Sequence, residues 1–197
     1  MDNIVGNVYD KYNSNNPITR LLMRGFLNDI TELYNLIRPT RVLEVGCGEG
    51  ELANYLLQHS SKRPQRFEAS DLSFDIIIAE SDPLIKYRES SIYELPYSKN
   101  SFDLVVCSEV LEHLEYPQRG LAEIARVAEK GVLLSTPWEP VWRLLNLARG
   151  KYVMSFGNTP GHIQHFSRQG LIKLAQTHLE VVNKRTPLPW TIILGVP

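Results

Sequence analysis

The sequence contains few cysteines, no long hydrophobic run and no excess of charge of either sign. Its 197 residues include two cysteines, Cys47 and Cys107, which are too few for a disulfide framework. No window approaches about 18 consecutive apolar residues, so no membrane span is expected. Lys and Arg number 21 against 22 Asp and Glu, which argues against a protein that is held to nucleic acid mainly by bulk positive charge. Nucleic acid is therefore not the expected partner.

We expect neither a targeting signal nor a second domain. Residues 1–10 include the acids Asp2 and Asp10 and show neither a basic n-region nor an apolar h-region, which predicts no signal peptide and a cytoplasmic location. The sequence has no internal repeat, low-complexity tract or interdomain linker. Its apolar fraction of 43% and charged fraction of 22% are typical of a globular protein. The length predicts one domain over residues 1–197.

The hydrophobic pattern alternates between helical and strand periodicity. Asn16 and Pro17 suit the cap and the first position of a helix, which predicts an N-terminal helical segment within residues 1–38. Its expected core positions are Ile18, Leu22, Phe26, Ile30, Leu33 and Ile37. Strands are predicted at residues 41–45, 66–70, 85–88, 102–107 and 131–135, near 181–182 and at 191–196, with helices after residue 50, through 76–80, at 121–128 and after Ser167. Such alternation predicts a parallel sheet with helices on both faces.

A glycine-rich turn is the first sign of chemistry. Gly46, Gly48 and Gly50 follow the first predicted strand, where glycine lets the backbone approach a ligand closely. Asp71 follows the next strand, and a carboxylate there can accept hydrogen bonds from a ribose. The spacing is G-x-G-x-G rather than the dinucleotide pattern G-x-G-x-x-G, and Glu44 would repel a pyrophosphate. The pattern therefore favours a nucleoside that carries positive charge, such as S-adenosylmethionine, over a nicotinamide dinucleotide.

Three longer segments carry motifs of a known enzyme family: VLEVGCGEG at residues 42–50, SDLS at 70–73 and NSFDLVVCSEVLEHL at 100–114. They resemble motif I, the second motif and the fourth-strand motif of the class I S-adenosylmethionine-dependent methyltransferases, especially the type 11 or ubiquinone-biosynthesis-like branch. The resemblance implies an α/β, Rossmann-like doubly wound sheet, mostly parallel with a terminal antiparallel strand and with helices on both faces.

The resemblance also implies which residues bind the cofactor. The loop at residues 44–50 would hold its methionine part, Asp71 and Leu72 the ribose and one adenine face, Ser91 and Ile92 the adenine edge, and Cys107 and Glu109 the sulfonium end. The expected cofactor-binding residues are Glu44, Gly46, Cys47, Gly48, Gly50, Asp71, Leu72, Ser91, Ile92, Cys107 and Glu109. Family members often have an aspartate where this chain has Ser91.

Glu109, Glu112 and His113 form a second cluster, which we expect to share one face of a helix. One interpretation is a helix start, in which the acids favour the dipole and His113 packs beneath the cofactor. Another is a general base, in which His113 takes a proton from an acceptor hydroxyl. A third is a metal site completed by His162 or His165, since the Glu-x-x-Glu-His spacing resembles metal-dependent RNA 2′-O-methyltransferases. The sequence alone assigns no metal.

Residues 138–166 interrupt the α/β pattern and are expected to form a lid over the acceptor, because ligands of open α/β sheets bind beyond the carboxyl ends of the strands. Two interpretations fit the aromatic and apolar side chains of this segment: they line an apolar lid, or they pack a helical insertion. These side chains are Trp138, Trp142, Tyr152, Met154 and Phe156. His162 and His165 are its candidate catalytic groups, alongside His113. Tyr9 and Tyr12 are candidates to fold over the cofactor from the opposite side.

The sequence thus predicts an S-adenosylmethionine-dependent methyltransferase that modifies an oxygen or nitrogen of a small organic acceptor by direct displacement and releases S-adenosylhomocysteine. Alignment of the acceptor with the methyl group is expected to supply most of the rate enhancement. Two alternatives stay open. One is a metal-dependent RNA 2′-O-methyltransferase, and the other is a protein that binds S-adenosylmethionine without catalysis.

Overall fold

The computed structural model describes residues 12, 14–73 and 81–197. Its strands are β1 (Arg41–Val45), β2 (Arg66–Asp71), β3 (Ile85–Glu89), β4 (Phe102–Ser108), β5 (Ala128–Pro137), β6 (Glu180–Arg185) and β7 (Trp190–Val196). Its helices are α1 (Pro17–Ile37), α2 (Glu51–His59), α3 (Pro117–Val127), α4 (Glu139–Ala148) and α5 (Arg168–Ala175), with short 3-10 turns at Leu111–His113 and Val153–Ser155. The helix expected through residues 76–80 lies outside the described residues.

The strands form one seven-stranded sheet in the order β3-β2-β1-β4-β5-β7-β6. The first five pair in parallel, and β7 is antiparallel to both β5 and β6. The predicted doubly wound, mostly parallel sheet with a terminal antiparallel strand is therefore confirmed. The strand order reverses between β1 and β4, and the crevice at such a switch point is where α/β proteins bind ligands.

Helices cover both faces of the sheet, as the alternating pattern predicts. Apolar side chains of α1 and α2 pack on one face, and those of α3 and α5 pack on the other. Strands β1 and β4 lie between these layers and are buried along almost their whole length, which explains their near-continuous apolar sequences. Within the described residues, no helix combines the length and the hydropathy that a bilayer crossing requires.

Helix α1 begins as expected, but the set of side chains that it buries differs in part from the predicted set. The side chain of Asn16 accepts hydrogen bonds from the backbone N–H groups of Ile18 and Thr19, at 2.9 and 3.3 Å. Ile18, which was expected in the core, is 67% exposed, whereas Met23 and Tyr34 are buried. The first turn of α1 is largely exposed, so the helical period alone overestimates how far the buried stripe runs.

Asp103 joins the start of β4 to the start of β1. Its carboxylate accepts hydrogen bonds from the backbone N–H and hydroxyl of Thr40, at 2.7 and 2.6 Å, and from the guanidinium of Arg41, at 2.8 Å. Burial alone would raise the pKa of Asp103, but these hydrogen bonds outweigh it and hold the pKa well below its usual range. The charged carboxylate is therefore the form that the fold stabilises.

We expect Asp103→Asn to lower the free energy of unfolding at pH 7 by about 2–4 kcal/mol, because an amide leaves buried donors without an acceptor. Urea unfolding measures this loss. Glu129→Gln is the matched control, since Glu129 is an exposed partner of the same Arg41 and exposed ion pairs contribute about 0–1 kcal/mol. Equal losses in the two variants would contradict the role assigned to Asp103.

Candidate active site

The loop between β1 and α2 is shaped by its three glycines. Gly46, Gly48 and Gly50 have φ values of 73°, 53° and 83°, a region that side chains disfavour. A Cβ at Gly46 would lie 2.3 Å from the side chain of Val110, and one at Gly50 would lie 2.3 Å from the hydroxyl of Tyr87. No described atom lies within 4 Å of a Cβ built at Gly48. The loop is therefore packed at both ends and leaves space for a ligand at its centre.

Asp71, at the end of β2, fixes this loop in place. Its Oδ2 accepts a hydrogen bond from the backbone N–H of Gly48 at 2.7 Å, and its Oδ1 accepts one from the N–H of Leu72 at 2.7 Å. Each carboxylate oxygen has further acceptor capacity, which suits a pair of ribose hydroxyls. The side chain of Leu72 is 67% exposed at the same end of the strand, where an adenine ring can cover it.

Glu44 is a buried carboxylate with incomplete hydrogen bonding. It is 3% exposed, and its Oε2 has no hydrogen-bond partner among the residues that the structure describes. Burial, reinforced by the negative charge of Asp71, raises the pKa of Glu44 to about 8. A hydrogen bond from the backbone of Ala53 lowers this pKa but does not offset the effect of burial. A cationic ligand in this loop would satisfy the carboxylate and restore its charge.

The two cysteines border this region as protonated thiols. Burial, together with the charges of Glu44 and Asp71, raises the pKa of Cys47, and burial with the charge of Glu112 raises that of Cys107. The thiolate is the nucleophilic form of cysteine. Neither residue is therefore suited to covalent catalysis.

The expected helix over Glu109, Glu112 and His113 is wrong. Glu109 has a left-handed φ of 57°, and its N–H donates to the carbonyl of Ser135 in β5 at 2.9 Å. This bond continues the β4–β5 pairing beyond Ser108, and the left-handed φ of Glu109 prevents a right-handed helix from beginning there. Only the 3-10 turn Leu111–His113 is helical, and Glu109 does not share a helical face with the other two residues.

The N-terminal segment contributes Tyr12 to the same side of the sheet. Burial raises the pKa of Tyr12, and the charges of Glu109 and Glu44 raise it further. Tyr12 packs against the core on the α1 side of the sheet, and its place over the cofactor stays a prediction. Tyr9 lies outside the described residues.

The residues expected at the adenine edge follow β3. The hydroxyl of Ser91 accepts a hydrogen bond from the backbone N–H of Tyr93 at 3.2 Å. Ile92 is 7% exposed and packs with the core on the α3 side of the sheet. Ser91 is therefore positioned by its own turn, while Ile92 is mainly a core residue.

The structure brings two of the three candidate catalytic histidines together. The rings of His113 and His162 are 4.9 Å apart between centroids and nearly perpendicular. Nδ1 of His162 lies 2.6 Å from Oε1 of Glu139, and Nδ1 of His113 lies 3.0 Å from the carbonyl of Gly161. His165 is exposed, and its Nε2 lies 2.9 Å from Oδ1 of Asn158. His165 is not part of the pair.

The segment 138–166, which is predicted to form a lid, is partly buried and partly exposed. Trp142 packs against the core, and its indole N–H donates to the hydroxyl of Thr159 at 2.9 Å. Trp138 lies beneath the guanidinium of Arg168, 3.9 Å from its ring centroid. Met154 and Phe156 are 96% and 76% exposed, so these two do not form the compact apolar cover that was expected.

The sequence analysis did not identify two residues that contact the site from distant positions in the sequence. Tyr87 closes the loop at Gly50, and Glu139 binds His162 across 23 positions of sequence. Glu139 reads in the sequence as an ordinary acid in the first turn of a helix. No local signal identifies such partners, because they are created by tertiary packing.

A family model described as "Methyltransferase domain" matches residues 43–136. The chain is 34% identical over 134 residues to "Ubiquinone biosynthesis O-methyltransferase, mitochondrial" of Candida albicans, covering 59% of this chain and 40% of the relative. It is 27% identical over 159 residues to the Rickettsia bellii "Ubiquinone biosynthesis O-methyltransferase", covering 78% of this chain and 63% of the relative. The chain thus spans about two fifths to three fifths of the length of these relatives.

Solved structures share the fold. The methyltransferase domain of bacterial CtHen1 aligns with a TM-score of 0.66 at 19% identity and covers 89% of this chain and 100% of that one. Magnesium protoporphyrin IX methyltransferase from Synechocystis PCC 6803 aligns with a TM-score of 0.64 at 16% identity and covers 93% and 88%. Identities this low support the architecture alone.

The geometry of the loop fits S-adenosylmethionine. The space at Gly48 admits a ligand close to the backbone, and Asp71 can accept further hydrogen bonds from a ribose. The Oε2 atom of Glu44 has no hydrogen-bond partner among the described residues, and a cationic ligand would provide one. Residues 43–136 match the methyltransferase-domain family, and the strand order and the two curated relatives are similar to those of class I S-adenosylmethionine-dependent methyltransferases of the ubiquinone-biosynthesis-like branch.

Proposed function

We propose that this chain is a class I S-adenosylmethionine-dependent methyltransferase of the ubiquinone-biosynthesis-like branch, and that it methylates a hydroxyl oxygen of a small organic acceptor by direct displacement. The single observation that carries the proposal is the pairing of His113 with His162, which puts two imidazoles at the junction of the lid and the carboxyl end of β4. The names of the curated relatives, which are O-methyltransferases of ubiquinone biosynthesis, support an oxygen acceptor. The near-zero net charge favours a small acceptor over a polynucleotide.

In this proposal the chain contributes binding, alignment and a dry site. S-adenosylmethionine, when bound, supplies a methyl group on a positively charged sulfur that leaves as a neutral thioether. Asp71 binds the ribose, and Glu44 faces the positive charge of the methionine part. Cys107 and Glu109 line the sulfur end, and Ser91, Ile92 and Leu72 border the adenine. Because the displacement needs no covalent intermediate with the protein, alignment contributes most, up to about 7–11 kcal/mol.

The acceptor oxygen would lie near His113 and His162, and its proton must leave there as the new bond to carbon forms. His165 does not take part, because it is bonded to Asn158 on the exposed side of the lid. We also keep a cytoplasmic location as part of the proposal, which the two buried free cysteines support.

Transfer of tritium from methyl-labelled S-adenosylmethionine tests the proposal. The purified protein is incubated with three acceptor sets: hydroxylated aromatic compounds, primary amines and a short RNA with a free 3′ end. We expect label in the hydroxylated aromatic set. Label in the RNA, or in amines alone, would contradict the proposal. Cofactor binding by calorimetry with no transfer to any acceptor, extracts of the host included, would favour a non-catalytic binding protein.

A further inference from the structure

We infer that Tyr87 and Asn54 are positioning residues for cofactor binding, because they hold Gly50 and the start of α2 against the turn that precedes β3. Neither belongs to the set of residues expected to contact S-adenosylmethionine, and both act through the glycine loop. The inference rests on the proposed function only in taking S-adenosylmethionine as the ligand of this loop. Binding of the product S-adenosylhomocysteine, which needs no acceptor, therefore tests it.

Tyr87 approaches the glycine loop from β3. A Cβ built at Gly50 would lie 2.3 Å from the hydroxyl of Tyr87, so this hydroxyl fills the space that a side chain at residue 50 would need. The ring of Tyr87 is half-buried and packs against the core on the α1 and α2 side of the sheet. Its hydroxyl oxygen lies 2.7 Å from the hydroxyl oxygen of Ser81. The hydrogen bond to Ser81 thus fixes the tyrosine that closes one end of the loop.

Asn54, in the first turn of α2, forms a second bridge between the same two segments. Its Nδ2 donates to the carbonyl of Gly50 at 3.0 Å, and its Oδ1 accepts a hydrogen bond from the backbone N–H of Asp82 at 2.8 Å. The side chain of Asn54 is buried, and both ends of its amide are hydrogen-bonded. A buried polar group that is satisfied in this way restricts the movement of the segments that it joins.

The turn that supplies Ser81 and Asp82 is itself anchored. The carboxylate oxygens of Asp82 accept hydrogen bonds from the guanidinium of Arg63 at 2.6 and 2.8 Å, and Oδ1 also accepts one from the N–H of Leu84 at 2.9 Å. The carbonyl of Asp82 accepts a hydrogen bond from the N–H of Ile85, the first residue of β3, at 2.9 Å. The hydrogen bond from Arg63 holds the pKa of Asp82 below its usual range. The turn is therefore a fixed support for the loop.

Both bridges end at Gly50, whose backbone conformation depends on them. Gly50 has a φ of 83°, and glycine populates positive and negative φ about equally. The residue type alone therefore leaves the loop free to adopt other conformations, and the contacts of Tyr87 and Asn54 select this one. A ligand that binds a single conformation loses apparent affinity when that conformation is only partly populated. Removing either bridge should therefore weaken cofactor binding without changing the alignment of the methyl group in the bound complex.

Calorimetric titration of the full chain with S-adenosylhomocysteine tests the inference. Tyr87→Phe removes one hydroxyl and keeps the ring, and should weaken binding about 3–10-fold, the range that one neutral hydrogen bond supplies. Ser81→Ala should weaken binding by a similar factor. The double variant should lose no more than either single variant, because both changes remove the same hydrogen bond. Tyr55→Phe is the matched control, since the ring of Tyr55 stacks on His59 near the end of α2, and its affinity should stay within about twofold of the original.

Asn54→Ala should weaken binding about 10–100-fold, because it removes two hydrogen bonds. If this variant fails to fold, Tyr87→Phe and Ser81→Ala still decide the outcome. In a methyl-transfer assay, Tyr87→Phe should raise the KM for S-adenosylmethionine by its loss of affinity and leave kcat unchanged.

A merely structural role would lower the stability of the chain and leave the affinity of the folded protein unchanged. Unchanged affinity in both Tyr87→Phe and Ser81→Ala, or a fall in kcat at constant KM, would overturn the inference. Failure of the original chain to bind S-adenosylhomocysteine would instead overturn the proposed function, and this inference with it.

Discussion

Asp71→Ala is expected to weaken the binding of S-adenosylhomocysteine by at least about 100-fold. The carboxylate holds Gly48 and Leu72 through two 2.7 Å hydrogen bonds and is the proposed partner of the ribose hydroxyls. A hydrogen bond to a charged group contributes about 1.5–3 kcal/mol. The loss of two proposed hydrogen bonds to the ribose hydroxyls corresponds to a decrease in affinity of about 10²–10⁴-fold. Disturbance of the loop would add to this decrease. Isothermal titration calorimetry measures the change directly.

Glu89→Ala is the matched control for this variant. Glu89 pairs with Asp71 in the β2–β3 register and is exposed, so its removal deletes an equal charge from the neighbouring strand. We expect the affinity of that variant to stay within about threefold of the original. Equal losses in both variants would mean that Asp71 acts through general electrostatics, and the ribose assignment would then be wrong.

Much of the fold is predictable because its signals are local. Buried parallel strands give short apolar runs, as in β1 and β4, and Asn16 with Pro17 marks a helix start that the structure confirms. The strand β5 begins three residues earlier than expected, at Ala128, because the exposed polar residues Glu129 and Lys130 interrupt the apolar signal.

The errors arise where tertiary contacts override local pattern. Glu109 belongs to a good helical pattern, yet its N–H extends the β4–β5 pairing to Ser135 and its own backbone is left-handed. The same limitation applies to His162, whose partner Glu139 is found only when α4 folds against the end of the lid. Glycine spacing predicts a loop, but the contacts at Val110 and Tyr87 that require those glycines cannot be inferred from it.

Glu44→Gln is expected to stabilise the ligand-free protein at alkaline pH while it weakens cofactor binding. The fold raises the pKa of Glu44 from its ordinary value of 4.5 to about 8, mainly through burial. A group whose pKa is raised on folding stabilises the fold fully below its unfolded pKa, and this contribution is lost as pH rises to the folded pKa. The stability of the original chain should therefore decline between about pH 4.5 and 8 in a way that the glutamine variant does not share.

Urea unfolding at pH 5 and pH 9 measures this difference. At pH 5 the two chains should have nearly equal free energies of unfolding, because Glu44 is protonated. At pH 9 the glutamine variant should be more stable by about 2–5 kcal/mol, on a scale of about 1.4 kcal/mol for each pKa unit. Glu89→Gln, which alters an exposed carboxylate, should show no such gain.

Cofactor binding should respond in the opposite direction. The positive charge of the methionine part favours the ionised form of Glu44, so the affinity of the original chain for S-adenosylhomocysteine should rise between pH 6 and pH 8.5. In Glu44→Gln the affinity should depend little on pH. At pH 8.5 it should be about 10–100-fold lower than that of the original chain, because one charge-assisted hydrogen bond is lost. If Glu44→Gln binds S-adenosylhomocysteine as tightly as the original chain at pH 8.5, Glu44 does not contact the positive charge of the cofactor. If Glu44→Gln is no more stable than the original chain at pH 9, the fold does not raise the pKa of Glu44.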